Sequence, residues 1–222
     1  MSRTTNARLA GFAFLFYIAI GITQMVLSQA TRAEGPTARL ALIAQHAPQV
    51  RANMVLSLLT CVTALALGVA LYGITRDVDR EIAVLALSFR VGEGLLAAVA
   101  PVPMLGLVWL STAGAGPGAP DAAAIDVLGT FLLKVGGWNT TVSATLFALG
   151  STLFSWLLLR GRVIPAALAW LGVLASALLV VALPAQLTGV LTGPFTQYVW
   201  VPMALFELVL GPWLLVKGAA AG

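Results

Sequence analysis

Apolar residues run along this chain in long blocks, and charge, proline and glycine gather in the short stretches between them. A bilayer's hydrocarbon core is about 30 Å thick, and a helix rising 1.5 Å per residue crosses it in about 20 residues. Six blocks reach that length: 9–28, 53–74, 82–110, 138–159, 164–183 and 196–216. Pro101 and Pro103 break the third, because proline removes a backbone donor and clashes with the preceding turn. The pattern predicts an all-α fold: one transmembrane domain over 1–222, a polytopic bundle of six transmembrane helices.

The segments between the blocks carry their own signals. Over 30–51, Leu40, Leu42, Ile43, Ala47 and Val50 recur at helical spacing, with Arg39, Gln45, His46, Gln49 and Arg51 between them. That spacing predicts a short amphipathic helix lying in the outer interface. Residues 111–120 are Gly-, Ala- and Pro-rich and read as a flexible connector. Asp121 then reads as the N-cap of a half-length apolar segment ending at Val135. Its stripe of Leu128, Phe131, Leu132 and Val135 suits a surface or re-entrant helix that turns at Gly136-Gly137 into the fourth span. Trp109, Trp138 and Trp200 fall at the outer interface and Trp156 and Trp213 at the inner one, as an aromatic belt does. Trp170, deeper in the fifth span, is read as a packing residue.

Composition agrees with a membrane protein. The 222 residues are 60% hydrophobic and 9% charged, whereas a soluble domain carries about 25% charge. The chain is basic, with a pI near 9.8, but its cations sit at block ends and form no patch. Its expected partner is therefore the lipid bilayer, not nucleic acid. Arg3, Arg8, Arg76, Arg80, Arg160, Arg162 and Lys217 fall on one side of the layout; Arg32, Arg39, Arg51 and Lys134 fall on the other. Seven against four places both termini in the cytoplasm. A cleaved signal peptide is the competing reading of the first block, with Ser28-Gln29-Ala30 as its small-residue site. The block exceeds the 7–15 apolar residues of a signal peptide, and removing it would leave an odd number of spans, so it is read as a span.

Sequence motifs exclude several chemistries. No phosphate-binding loop, dinucleotide fingerprint, HExxH, CxxC or GxSxG motif is present. With one histidine, His46, and one cysteine, Cys61, no metal site and no cofactor is expected. Cys61 is read as a packing residue. No catalytic residue is assigned.

The informative residues are the charges inside the apolar blocks. Counted from the cytoplasmic ends of their spans, Arg90 lies ~12 Å deep, Glu93 ~17 Å and Glu207 ~14 Å. Facing lipid, the three would cost on the order of 9 kcal/mol, so they are expected to face the bundle interior. Arg90 and Glu93, three apart, share a helix face. The simplest geometry packs the third span on the sixth. The small residues Ala97, Ala100 and Gly211 then allow close approach, and Arg90 bridges both carboxylates. One Arg against two Glu leaves a formal −1, which a proton, a cation or water must complete. A second, uncharged layer near the outer interface contains Gln24, Asn53, Asn139 and Gln197, with Thr140, Thr141 and Ser143. It is read as ordinary interfacial polarity or as the mouth of a cavity leading down to Arg90 and Glu93.

These observations suit a non-enzymatic membrane protein that binds or relays a proton, an ion or a small amphiphile. Two alternatives remain open. One is a membrane-embedded enzyme acting on a lipid or isoprenoid, with a Glu as acid or base. The other is an accessory subunit whose charges only fix helix register. Six spans are few for a transporter monomer, so transport would call for a homo-oligomer.

An ordered set of short pieces resembles the bacterial membrane family known as domain of unknown function 4386. They are Ala7-Arg8-Leu9-Ala10-Gly11, Ala70-Leu71-Tyr72, Ile82-Ala83-Val84-Leu85-Ala86, and Phe89-Arg90 with Glu93. Leu157-Leu158-Leu159-Arg160-Gly161, Ile164-Pro165, Leu171-Gly172, Glu207, Trp213-Leu214-Leu215 and Lys217-Gly218 complete it. The loop after the first span and the segment 111–120 depart from the family pattern. The resemblance implies fold, topology and a place in a bacterial inner membrane; the family name carries no activity.

Overall fold

The computed structural model describes residues 2–113, 121–193 and 195–219. Nine helices occur among them: α1 (Arg3–Gln29), α2 (Pro36–Gln45), α3 (Ala47–Thr75), α4 (Arg80–Val99), α5 (Pro101–Ala113), α6 (Ala122–Arg160), α7 (Ala166–Leu187), α8 (Phe195–Tyr198) and α9 (Val201–Val216). Six segments are long and apolar enough to cross a membrane, in the order that the hydrophobic blocks predict. The chain is a multi-pass membrane protein.

The six long helices close a ring in chain order. Each of α1, α3, α4, α6, α7 and α9 packs on the next, and α9 returns to α1. Small residues set these crossings. A Cβ on Gly11 would lie 2.6 Å from the Gly211 carbonyl oxygen, so α1 and α9 meet backbone to backbone. Gly73 of α3 lies against Asn6 of α1, and Gly172 of α7 holds the Phe206 ring of α9. The same end carries the termini, with Gly218 beside Thr4. It also carries the α4 N-terminus, where Asp79 caps Ile82 N at 3.2 Å and pairs with Arg160 of α6 at 3.2 Å.

The opposite end is built differently. The backbone breaks at Ala100, between α4 and α5. Pro101 and Pro103 supply no N–H, so the carbonyls of Ala97 and Val99 lose their helical partners. Side chains of α6 brace this weakened turn: Asn139 donates to the Leu96 carbonyl at 3.0 Å, and Ser143 to the Glu93 carbonyl at 3.2 Å. The amphipathic helix expected after the first span is α2. It does not lie free in the interface. Leu40 and Ile43 are buried in a second small core with Val50, Leu107 and Leu110.

Three local expectations need correction. The half-length segment after Asp121 does not turn at Gly136-Gly137. Asp121 caps Ala124 N at 2.7 Å as expected, but α6 then runs unbroken for 39 residues. Thr140 and Thr141 donate to the carbonyls of Gly136 and Gly137, which bind them along the helix instead of opening a corner. Trp170 is 48% exposed and faces outward, toward lipid, so it is no packing residue. Of the connector expected at 111–120, residues 111–113 form the last turn of α5, and 114–120 lie outside the described residues.

Candidate functional site

Arg90 is among the largest fully buried side chains, 1% exposed. Its stem passes between two glycines on neighbouring helices. A Cβ on Gly68 of α3 would come within 3.0 Å of Arg90 Cβ, and one on Gly150 of α6 within 3.2 Å of Arg90 Cγ and Cδ. The guanidinium then lies over two aromatic rings, 5.0 Å from the Phe147 centroid and 5.8 Å from that of Tyr17. Such contacts strengthen when desolvated, to about 2 kcal/mol.

Glu93, 2% exposed, is engaged at both oxygens. Its Oε2 lies 2.8 Å from Arg90 Nη1, an ion-pair distance but without hydrogen-bond alignment. Its Oε1 accepts the Tyr17 hydroxyl at 2.7 Å. Tyr17, Arg90, Glu93 and Phe147 thus form one unit from α1, α4 and α6. On the side toward the termini, Arg90, Ser151 and Ser155 border a space of about 10 Å³, roughly the room one water needs.

The expected bridge to Glu207 is not made. Among the described residues, Arg90 pairs with Glu93, and Glu207 takes part in no hydrogen bond or ion pair. The ring explains this: α4 packs on α3 and α6, whereas α9 packs on α1 and α7, so the third and sixth spans are not packing partners. Gly211 accordingly serves the α1 crossing, against Phe14 and Leu15. Glu207 is nevertheless 91% shielded, and with Glu93 it faces one cavity of about 660 Å³.

That cavity has the size of a small-molecule site. Tyr17, Glu93, Phe147, Trp200 and Glu207 line its deep end. Its walls are mixed. Polar Gln24, Asn53, Ser57, Thr60 and Asn139 face it together with apolar Met54, Met104, Leu107 and Leu132. Its lining on α1 extends from Tyr17 to Ser28, eleven residues or about 16 Å. Gly137 and Thr140 are its exposed lining residues, so it reaches the surface along α6. Thr140 lies twenty residues before Arg160, about 30 Å along the helix and hence at the far edge of the hydrocarbon layer.

Three of the four outer polar candidates converge on this cavity. Gln24 donates to Ser57 Oγ at 3.0 Å and accepts from Thr60 at 3.3 Å, which ties α1 to α3. Asn53 lines the wall and Asn139 braces α4. Gln197 is exposed on α8 and takes no part in the lining.

Sequence reasoning missed four contributors. Tyr17 carried a signal, since a phenol inside a span needs a hydrogen-bond partner. Phe147 looked like an ordinary apolar position and Trp200 like part of the outer aromatic belt, yet their rings pack at 6.1 Å between centroids. Arg39 of α2 lines the mouth, its Nε buried and without a hydrogen-bond partner among the described residues. Burial first, and then the neighbouring charge of Arg32, lower the Arg39 pKa from its usual value; an arginine there stays charged.

No curated protein and no solved structure matches this chain. A family model does match, over residues 9–218, and nearly the whole ring lies within that range. The chain therefore belongs to the family described as Domain of unknown function (DUF4386).

Proposed function

We propose that this protein is a non-enzymatic binding protein of a bacterial inner membrane, with both termini in the cytoplasm. In this reading its cavity receives a small amphiphile from the opposite face. The observation that carries the proposal is the cavity itself. A space of about 660 Å³ descends from the far interface to two carboxylates, with polar groups along an otherwise apolar wall. A purely architectural charge cluster would need only Arg90, Glu93 and Tyr17, and would be served best by dense packing above them. Seven cations on the side of the termini support the orientation, since cytoplasmic loops carry the excess of Lys and Arg.

The test is binding of 1-decanol, a neutral single-chain amphiphile, to the protein in lipid nanodiscs, with empty discs as the reference. Saturable binding above the reference is expected. Ala97→Trp and Ser57→Trp, which fill the cavity from α4 and α3, are expected to abolish it. Uptake equal to that of empty discs would defeat the proposal.

A further inference from the structure

We infer that the ligand of this cavity is an organic cation, a single-chain ammonium compound whose charged group sits on Glu207; the inference rests on the amphiphile reading above. Four observations carry it.

The first is the division of labour between the two carboxylates. Glu93 is already engaged by Arg90 and Tyr17. Glu207 is 91% shielded, makes no hydrogen bond or ion pair among the described residues, and faces the cavity. The second is charge. Arg90 and Glu93 cancel, so the deep end keeps one formal negative charge, located on Glu207. One added positive charge completes it.

The third is the wall. Trp200 and Phe147 line the same cavity as Glu207, their ring centroids 6.1 Å apart, and Trp200 stands about two helical turns before Glu207. Aromatic faces attract an ammonium group, and best where water is excluded. Arg90 already lies over Phe147 and Tyr17, which leaves Trp200 as the ring not engaged by a guanidinium. The fourth is shape. Along α1 the cavity runs about 16 Å for a volume of about 660 Å³. It is therefore longer than it is wide, suited to a chain that enters with its polar group leading.

The other charged groups facing the space do not change the sign of its deep end. Arg90 lies behind the lining, paired with Glu93, and Arg39 stands at the mouth, on the far side of Gln24 and Asn53. Arg39 instead disfavours a cation that stops at the entrance, so the ammonium is stabilised only at full depth.

Three probes that share a ten-carbon chain separate the outcomes: decyltrimethylammonium, 1-decanol and decyl sulfate. Each is titrated into protein-containing and empty nanodiscs. Two opposite charges about 4 Å apart attract far more strongly at an effective dielectric constant of about 20 than in water, so at least about tenfold in affinity is expected after desolvation. The ammonium is therefore expected to bind about tenfold or more tighter than decanol, and decyl sulfate more weakly than either. Glu207→Gln is expected to reduce the ammonium preference to within about threefold while decanol binding persists; Glu207→Asp is expected to keep it. The ranking in the unaltered protein tests the inference even if a variant fails to fold. If decanol binds and the Ala97→Trp variant blocks it, but the ammonium is no tighter, the inference falls and the amphiphile reading stands. Glu207 then takes a proton only. If none of the probes exceeds the empty discs, both fall. A preference that survives Glu207→Gln overturns the assignment to that residue.

Discussion

The two ends of this bundle follow opposite rules. Toward the termini, glycine and alanine let helices approach closely: Gly11 on the Gly211 backbone, Gly73 on the Asn6 side chain, and Ala7, Ala10, Ala70, Ala83 and Ala86 without exposed surface. Toward the other face, Pro101 and Pro103 break α4 from α5, polar side chains bind helices at arm's length, and a cavity opens. Arg90 and Glu93 stand at the boundary. In lipid there is no hydrophobic drive between helices, so close packing is what the small residues supply. Where they give way to Gln24, Ser57, Thr60 and Asn139, the helices stay apart and the space between them can hold something else.

Substitution should separate the ends. The largest effect is expected from Gly11→Leu, which drives a side chain into the α9 backbone; it should cost more than about 4 kcal/mol and be read as loss of folded protein on thermal unfolding in detergent. At Gly137 an added Cβ meets nothing within 4 Å, so the matched change Gly137→Leu should stay within about 0.5 kcal/mol. Equal damage from the two would erase the contrast.

Next comes the boundary. Arg90→Met strands a buried carboxylate and should cost about 3–5 kcal/mol, whereas Arg90→Met with Glu93→Leu should recover most of that loss. Denaturation midpoints of the single and double variants decide this, and a double variant no better than the single would show that the pair does more than satisfy itself. Tyr17→Phe removes the hydroxyl that binds Glu93 Oε1 and should cost about 1.5–3 kcal/mol. A small effect is also expected in the polar wall of the cavity. Thr60→Val should change stability by less than about 1 kcal/mol, since its hydroxyl also bonds along its own helix, to Leu56. A large loss there would mean that the polar wall holds the bundle together and does not merely line a space.

Much of this was legible without coordinates. Arg90 and Glu93 pair because three residues of helix put them on one face, and depth counting brought Glu207 to the same layer. The break at Pro101 follows from a missing N–H, and the Asp121 cap from its side-chain chemistry. Other features were not legible. Gly136-Gly137 looked like a corner because glycine is a poor helix former, yet the threonines that follow and the packing of α6 carry the helix through. Gly211 looked like part of the charged contact and instead serves α1, because spacing along one helix does not say which neighbour it meets. Trp170 and Gln197 illustrate the same limit: their distance from the interface could be counted, but not the direction in which they face.

By itself the sequence determined the class, the number of spans, the depth of each buried charge and the surplus of one carboxylate. Each of these is a local quantity, set by 1.5 Å of rise per residue, by the cost of charge in hydrocarbon and by counting. Only the tertiary structure decided which carboxylate is the surplus one. Closing six helices in chain order sets α4 between α3 and α6, and α9 between α1 and α7. Arg90 is thereby given to Glu93, Tyr17 arrives from α1, and Glu207 is left facing the cavity. Helix adjacency is a property of the whole ring, and no window of sequence contains it.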